Sequence, residues 1–380
     1  MKNFIFRNPT KLVFGKGQIA RLTELIPLDK KVMITFGGGS VTQNGIYAQV
    51  IRALMNHNYI EFWGIEPNPR VETLRKAITL CKENNVDFLL AVGGGSVLDG
   101  TKLIAAGVLY DGDPWDIVLK GQADESIPFA SVMTLPATGS EMNSAAVISR
   151  QETKEKYGFG SNYPEFSILD PEATYSLPWK QIANALADIF VHVMEQYMTT
   201  TGQSRIMDRW AEGIVQTIIE IAPKIKQSPH DYDTMADFML SATLALNDFI
   251  RMGVTQDWAT HNIGHELTAL HDVVHGESLA IVFNGTLRVL RDQKKAKILQ
   301  YAERVWGITQ GKEHERIDEA IAQTESFFQS LGLATRLSQL NIGEDTINII
   351  RDRFNRSGVL LGENKNVNGD VARQILLACL

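Results

Sequence analysis

Cysteine is nearly missing from this sequence: Cys81 and Cys379 are the two in 380 residues. Two thiols so far apart exclude a disulfide framework and a thiolate metal site. Basic charge is not in excess either. Against 44 Asp and Glu stand 37 Lys and Arg, a net charge of −7 with both signs scattered, so no basic stripe marks a nucleic-acid partner. No run of about 18 apolar residues is present for a membrane span, and Met1 to Gly17 holds no apolar stretch of signal-peptide length. Internal repeats and low-complexity segments are also lacking. The expectation is a cytoplasmic protein of two domains with no membrane or nucleic-acid partner. Three familiar signatures are missing as well: GxGxxG, GxxxxGK[ST] and HExxH.

What is present in the first half is a repeated order of strand, glycine loop and helix. The apolar run Lys31 to Phe36 ends in Gly37-Gly38-Gly39-Ser40, Phe88 to Val92 ends in Gly93-Gly94-Gly95-Ser96, and Ser131 to Leu135 ends in Pro136-Ala137-Thr138-Gly139-Ser140. Helical patterns follow near Tyr47 to Met55, Val71 to Glu83 and Val97 to Leu109. Weak alternation from Phe4 to Phe14 suggests one or two short strands. Ala146 to Ile148 and Phe166 to Leu169 read as a short β excursion. This order predicts a Rossmann-like α/β domain with a parallel sheet and crossover helices. One glycine turn after a strand is an ordinary tight turn. Three at strand ends of one sheet share an edge, where backbone N–H groups and helix N-termini accept phosphate. Asp99, expected in the first turn of the helix after the second loop, either complements that helix dipole or makes a polar contact near a nicotinamide. No Asp or Glu lies between Asp29 and Glu61, where an NAD site places its ribose-binding acid, so NADP is favoured.

The texture changes at Leu177-Pro178, and helical periodicity dominates beyond it. The expected domains are therefore 1–177, a dinucleotide-binding α/β domain, and 178–380, an all-helical metal-binding domain. Half of the eight histidines fall in one stretch, at His261, His265, His271 and His275, as two i, i+4 pairs. Asp188 and His192 form a third such pair inside an apolar run. A buried Asp needs a partner, and a divalent metal shared with His192 is the economical one. One continuous helix would hold His261 and His275 roughly 21 Å apart at about 1.5 Å per residue. If both bind one ion, the chain must break between Leu270 and Gly276; if His261 and His265 bind it, no break is needed. Spacing leaves both open.

Taken together, GGGSVLDGTK at Gly93 to Lys102, PATGSE at Pro136 to Glu141, the Asp188/His192 pair and the His261 to His275 pattern resemble the iron-containing, or group III, alcohol dehydrogenases over almost the whole chain. The sequence is most similar to their NADP-dependent aldehyde reductase and butanol dehydrogenase branch. GGGS at Gly37 to Ser40 fits there, whereas NAD-preferring relatives carry Asp at the position of Gly39. The resemblance implies Asp188, His192, His261 and His275 as ligands of one zinc or iron ion, and His265 as a catalytic residue lining the substrate pocket. It implies cofactor contacts from Gly37, Gly38, Gly39, Ser40, Gly94, Gly95, Ser96, Asp99 and Thr138, with Lys156 near the 2′-phosphate. It also implies a homodimer. The loop Gly362 to Asn368 matches nothing that can be placed.

The expected function is a metal-dependent NADP(H) alcohol dehydrogenase working on short, uncharged aldehydes and alcohols. A dehydroquinate synthase-like lyase would need Lys and Arg residues for an anionic substrate, and none occurs from His261 to His275. A non-catalytic metal and nucleotide sensor would lack support from any appended partner-binding segment.

Overall fold

The apolar runs recognised in the first half pair side by side in a computed structural model that describes residues 1–380. β1 (Lys11–Phe14), β2 (Lys31–Phe36), β3 (Asn58–Phe62), β4 (Phe88–Gly94), β5 (Phe129–Leu135) and β8 (Phe166–Leu169) form one sheet in the order β1-β8-β5-β4-β2-β3. Every pairing in it is parallel. Between β5 and β8 in the chain, β6 (Ala145–Arg150) and β7 (Glu155–Gly160) make a separate antiparallel hairpin. α1 (Leu22–Leu25), α2 (Ser40–Gln43), α3 (Ile46–Ala53), α4 (Val71–Asn84), α5 (Gly95–Leu109) and α6 (Pro114–Lys120) complete this part.

Strand alternation assigns each side chain to one of two cores. Val32, Ile34 and Phe36 of β2 join Leu90 and Val92 of β4 against Ile46 and Val50 of α3. Met33, Leu89 and Ala91 face the opposite core with Leu74 and Ile78 of α4 and Leu103 of α5. Both sheet faces are covered, so these strands read as unbroken apolar runs. Three expectations need correction. β8 is no excursion: it lies between β1 and β5 with all four residues buried. Of Phe4 to Phe14, only Lys11–Phe14 is a strand, because residues 1–10 find no strand partner. Helix α5 starts at Gly95 rather than Val97, so Asp99 falls in its second turn, beyond the dipole's reach. α6 was not expected, although Asp113 accepts from Trp115 N–H (2.8 Å) and Pro114 opens the helix.

Beyond Pro178 the chain is helical: α7 (Trp179–Tyr197), α8 (Arg205–Gln227), α9 (Tyr232–Ala245), α10 (Ala259–His271), α11 (His275–Val289), α12 (Arg291–Arg304), α13 (Glu313–Ser330), α14 (Glu344–Ser357) and α15 (Gly369–Leu377). No helix is long and apolar enough to cross a membrane. Two compact units result, one of residues 7–178 and 227–247, the other of residues 1–6, 179–226 and 248–380. α9 falls in the first of these units, although it lies beyond residue 177 in the chain. That helix packs in the α/β unit, where Thr243 donates to Glu141 Oε1 (2.5 Å). In the helical unit α11 lies on α7 so closely that a Cβ on Gly276 would come 2.1 Å from the Asn184 carbonyl oxygen.

Two outcomes follow from this packing. Glu141 is fully buried with Oε2 unbonded, and burial pushes its carboxyl above the ordinary glutamate range against the pull of Thr243 and Lys102. A carboxyl raised on folding stabilises the fold below its usual pKa of about 4.3 and loses that contribution as pH rises through the raised value. Glu141→Gln is expected to gain in melting temperature over the parent as pH rises above about 4.3, the gap levelling off above the raised value; thermal melts across pH check this. Gly276→Ala is expected to lower stability by about 1–3 kcal/mol through overpacking against backbone, read from the urea midpoint.

Candidate metal centre and nucleotide loops

Three helices of the helical unit bring the ligand candidates together. α7 carries Asp188 and His192 one turn apart. α10 carries His261, ends at His271, and is stopped by Asp272 in the left-handed region (φ 54°). α11 then begins at His275. The chain thus breaks between Leu270 and Gly276, as binding by both His261 and His275 requires. The ligand atoms of Asp188, His261 and His275 all lie within 4.8 Å of one another. Asp188 Oδ1 is 3.7 Å from His261 Nε2 and 3.6 Å from His275 Nε2. His192 stands beside this group of three, with Nδ1 3.5 Å from Asp188 Oδ1 and its ring stacked on His261 at 4.6 Å.

These distances test whether an ion fits. They exceed hydrogen-bond length. Two ligand atoms each about 2.1 Å from one ion in tetrahedral geometry stand about 3.4 Å apart. Asp188 Oδ1 and His261 Nε2 are both buried and bonded to nothing in the protein. One carboxylate with imidazoles suits zinc or ferrous iron. The residues present therefore fit a divalent ion.

His265 and His271 are outside the group. The His265 ring lies 5.3 Å from that of His275 and is partly exposed. His271 Nε2 bonds Thr346 Oγ1 (2.8 Å) on α14, so the His271/His275 pair shares no helix face. Sequence reasoning missed two residues at this centre. Trp258, held at φ 66°, packs edge-on against His261 at 5.3 Å. Glu195, buried on α7, accepts from Thr260 N–H (2.7 Å) and His261 N–H (3.1 Å), and its Oε2 bonds His261 Nδ1. Its spacing from Asp188 and His192 placed it on their helix face, the signal that would have found it. Burial alone would push the His261 imidazolium down, but with no ion at Nε2 the carboxylates of Glu195 and Asp188 outweigh it and hold the pKa up at about 9; a divalent ion would take the place of the second ring proton.

In the α/β unit the three glycine loops follow β2, β4 and β5, which are adjacent strands. The second and third loops touch: a Cβ on Gly95 would meet Thr138 Oγ1 at 2.3 Å, and one on Gly93 would meet Val97 Cγ2 at 2.5 Å. In the first loop Gly38 and Gly39 have open space around them, and Gly39 sits at φ 96°. Asp99 is buried and accepts from Ser140 Oγ (2.6 Å) and Val147 N–H (3.0 Å), which ties α5 to the third loop. Lys102, on the same helix, donates to Ser140 O and Oγ, Asn143 Oδ1 and Ala145 O. Lys156 donates to Asn68 Oδ1 (2.9 Å), and Asn68 N–H in turn reaches Ser96 Oγ (3.4 Å) of the second loop.

Comparison with known proteins agrees with this arrangement. Residues 9–171 match the family model described as iron-containing alcohol dehydrogenase, and residues 182–378 match its C-terminal counterpart. The chain is 50% identical to the NADPH-dependent aldehyde reductase YqhD of Escherichia coli K12, over 99% of each chain. It is 44% identical to the probable NADH-dependent butanol dehydrogenase 1 of Bacillus subtilis 168, over 100% of each. The crystal structure of E. coli YqhD superposes with a TM-score of 0.98, covering 100% of this chain and 99% of that one. The NADH-dependent butanol dehydrogenase A of Thermotoga maritima, 35% identical, superposes at 0.95 over 100% of this chain and 99% of the other. A dinucleotide-type sheet, a buried cluster of one carboxylate and imidazoles, and relatives matching end to end converge on one conclusion: this oxidoreductase belongs to the iron-containing alcohol dehydrogenase family.

Proposed function

We propose that the protein is an NADPH-dependent aldehyde reductase acting on short, uncharged aldehydes, with the reverse alcohol oxidation as its other direction. The observation that carries this reading is the Asp188, His261 and His275 group, whose ligand atoms sit at ion-sharing distances. His192, with Nδ1 3.5 Å from Asp188 Oδ1, is the proposed fourth ligand. A divalent ion held there supplies Lewis acidity toward a substrate oxygen, while the nicotinamide supplies hydride. Asp188 lends a full negative charge that keeps a cation in a buried site. His265, partly exposed and next to His275, is proposed to line the substrate pocket and to pass a proton through a ring nitrogen.

The cofactor is proposed to lie on the glycine loops, with Gly37 to Ser40, Gly94 to Ser96 and Thr138 supplying backbone and hydroxyl donors and Asp99 and Lys156 beside them. NADPH over NADH is supported by the first loop. It carries no acid, and Gly39 at φ 96° disfavours a side chain there. The next carboxylate along the chain, Glu61 on β3, is occupied by Tyr47 OH (2.9 Å) and Trp63 Nε1–H (2.8 Å). Relatives with names of both kinds, NADPH- and NADH-dependent, make this preference worth measuring. A homodimer and a cytoplasmic location are part of the same proposal, supported by the family resemblance alone.

Purified protein is expected to oxidise NADPH with butyraldehyde, to lose that activity on chelation and to regain it with zinc or ferrous iron. NADPH is expected to exceed NADH in kcat/KM by roughly tenfold or more, the worth of one charge-assisted phosphate contact. Failure to consume either cofactor with a panel of small aldehydes would refute the reading, and light scattering checks the dimer.

A further inference from the structure

One face of α7 does more than hold Asp188 and His192. Asn184, Asp188, His192 and Glu195 follow one another at spacings of four, four and three, one stripe of a helix. The two outer members serve the neighbouring helices. Asn184 Oδ1 accepts from Glu277 N–H (2.9 Å) in the first turn of α11. Glu195 accepts from Thr260 and His261 N–H in the first turn of α10. Both are helix caps supplied from outside the capped helix. Glu195 differs in one respect: the oxygen that takes the His261 amide also bonds Nδ1 of the same residue's ring.

We infer that Glu195 is a positioning residue for the metal centre, fixing His261 with its proton on Nδ1 so that the Nε2 lone pair faces Asp188 and His275. A neutral imidazole carries one proton on one of two nitrogens, and the partner of one nitrogen decides what the other offers. A buried carboxylate that already accepts two amide protons can only accept from Nδ1. Nε2 is then left as a lone pair, and it is the nitrogen within reach of Asp188 (3.7 Å) and bonded to nothing in the protein. The plainer alternative makes Glu195 a cap for α10 and nothing else. A Gln at this position separates the two. Its single amide oxygen can take the Thr260 N–H, leaving its NH2 group to donate to Nδ1 and move the ring proton to the Nε2 that must meet the metal, or it can take Nδ1–H only by turning that NH2 group onto the Thr260 N–H, so either orientation loses part of what the carboxylate does.

This inference rests on the metal centre proposed above, and the experiment keeps the two apart. Zinc affinity is measured by chelator competition for the parent, Glu195→Gln and Asp188→Ala, with urea unfolding of each as a control. The zinc-loaded parent, labelled with nitrogen-15 at its eight histidines, reports by NMR which ring nitrogen of His261 carries a proton. The expected result is a proton on Nδ1 in the parent, and zinc affinity lower by about 10- to 100-fold in Glu195→Gln. If the parent and Asp188→Ala bind zinc alike, the proposed centre itself is wrong. If the parent binds zinc through Asp188 but Glu195→Gln binds it equally well, Glu195 is a cap only. A proton on Nε2 of His261 in the zinc-loaded parent overturns the inference without any variant, so it stays testable even if Glu195→Gln fails to fold.

Discussion

A carboxylate buried in the middle of a helix, accepting no hydrogen bond at one oxygen, is the constraint around which the helical unit is arranged. Asp188 is buried to 3% exposure, and its Oδ1 has no hydrogen-bond partner. Burying an uncompensated charge costs several kcal/mol. Imidazole nitrogens stand 3.5 to 3.7 Å away, too far to donate a hydrogen bond and near enough to share a cation. The surrounding backbone is built to allow this convergence. Gly276 lets α11 lie against the Asn184 carbonyl. Asp272 in the left-handed region turns the chain, so that His261 and His275, fourteen positions apart, start two different helices rather than ride on one.

The α/β unit solves a different problem, holding three loops in contact without side-chain bulk. Gly93 and Gly95 are required by packing, because Val97 and Thr138 occupy the space a Cβ would need. Gly39 is required by backbone angle instead, and Gly38 is free of both demands, which leaves the first loop the open one. Beneath the second and third loops lies a buried polar network in which Asp99 and Lys102, one turn apart on α5, both engage Ser140. A network with its donors and acceptors mutually bonded stiffens what it joins. Asp99 therefore holds loop geometry in place whether or not it also meets the cofactor.

Much of this was legible in the sequence where one residue type can serve one purpose. KVMITF is a strand from Lys31 to Phe36, as its apolar run indicated. The break in the histidine stretch could be set out as a condition from helical rise alone. Three things were hidden because they depend on who the neighbour is. β8 is an ordinary four-residue strand whose place inside the sheet is decided by pairing with β1 and β5. α9 carries a helical pattern like those around it, yet it packs in the other unit. Glu195 reads as one acid among many until its oxygens are seen at the start of α10; its spacing from Asp188 was visible, but its partner lay 65 residues away.

The loop that resembled nothing, Gly362 to Asn368, also finds its place through a neighbour. Glu363 Oε1 lies 3.3 Å from Lys294 Nζ on α12, and the same ammonium donates to Asp257 Oδ2 (2.7 Å) and Met198 O (2.8 Å). Asp257 in turn uses Oδ1 to accept from Ala259 N–H at the start of α10, two residues before the His261 amide. The N-terminus of the ligand-bearing helix is therefore held by two buried carboxylates, one from α7 and one from the segment just before it. A single lysine ties the second of them to the loop. Removing one partner of a buried ion group strands the other charges, so these parts are energetically one piece. The loop's residues are constrained by what α10 needs at its first turn, which is why no local pattern announces them.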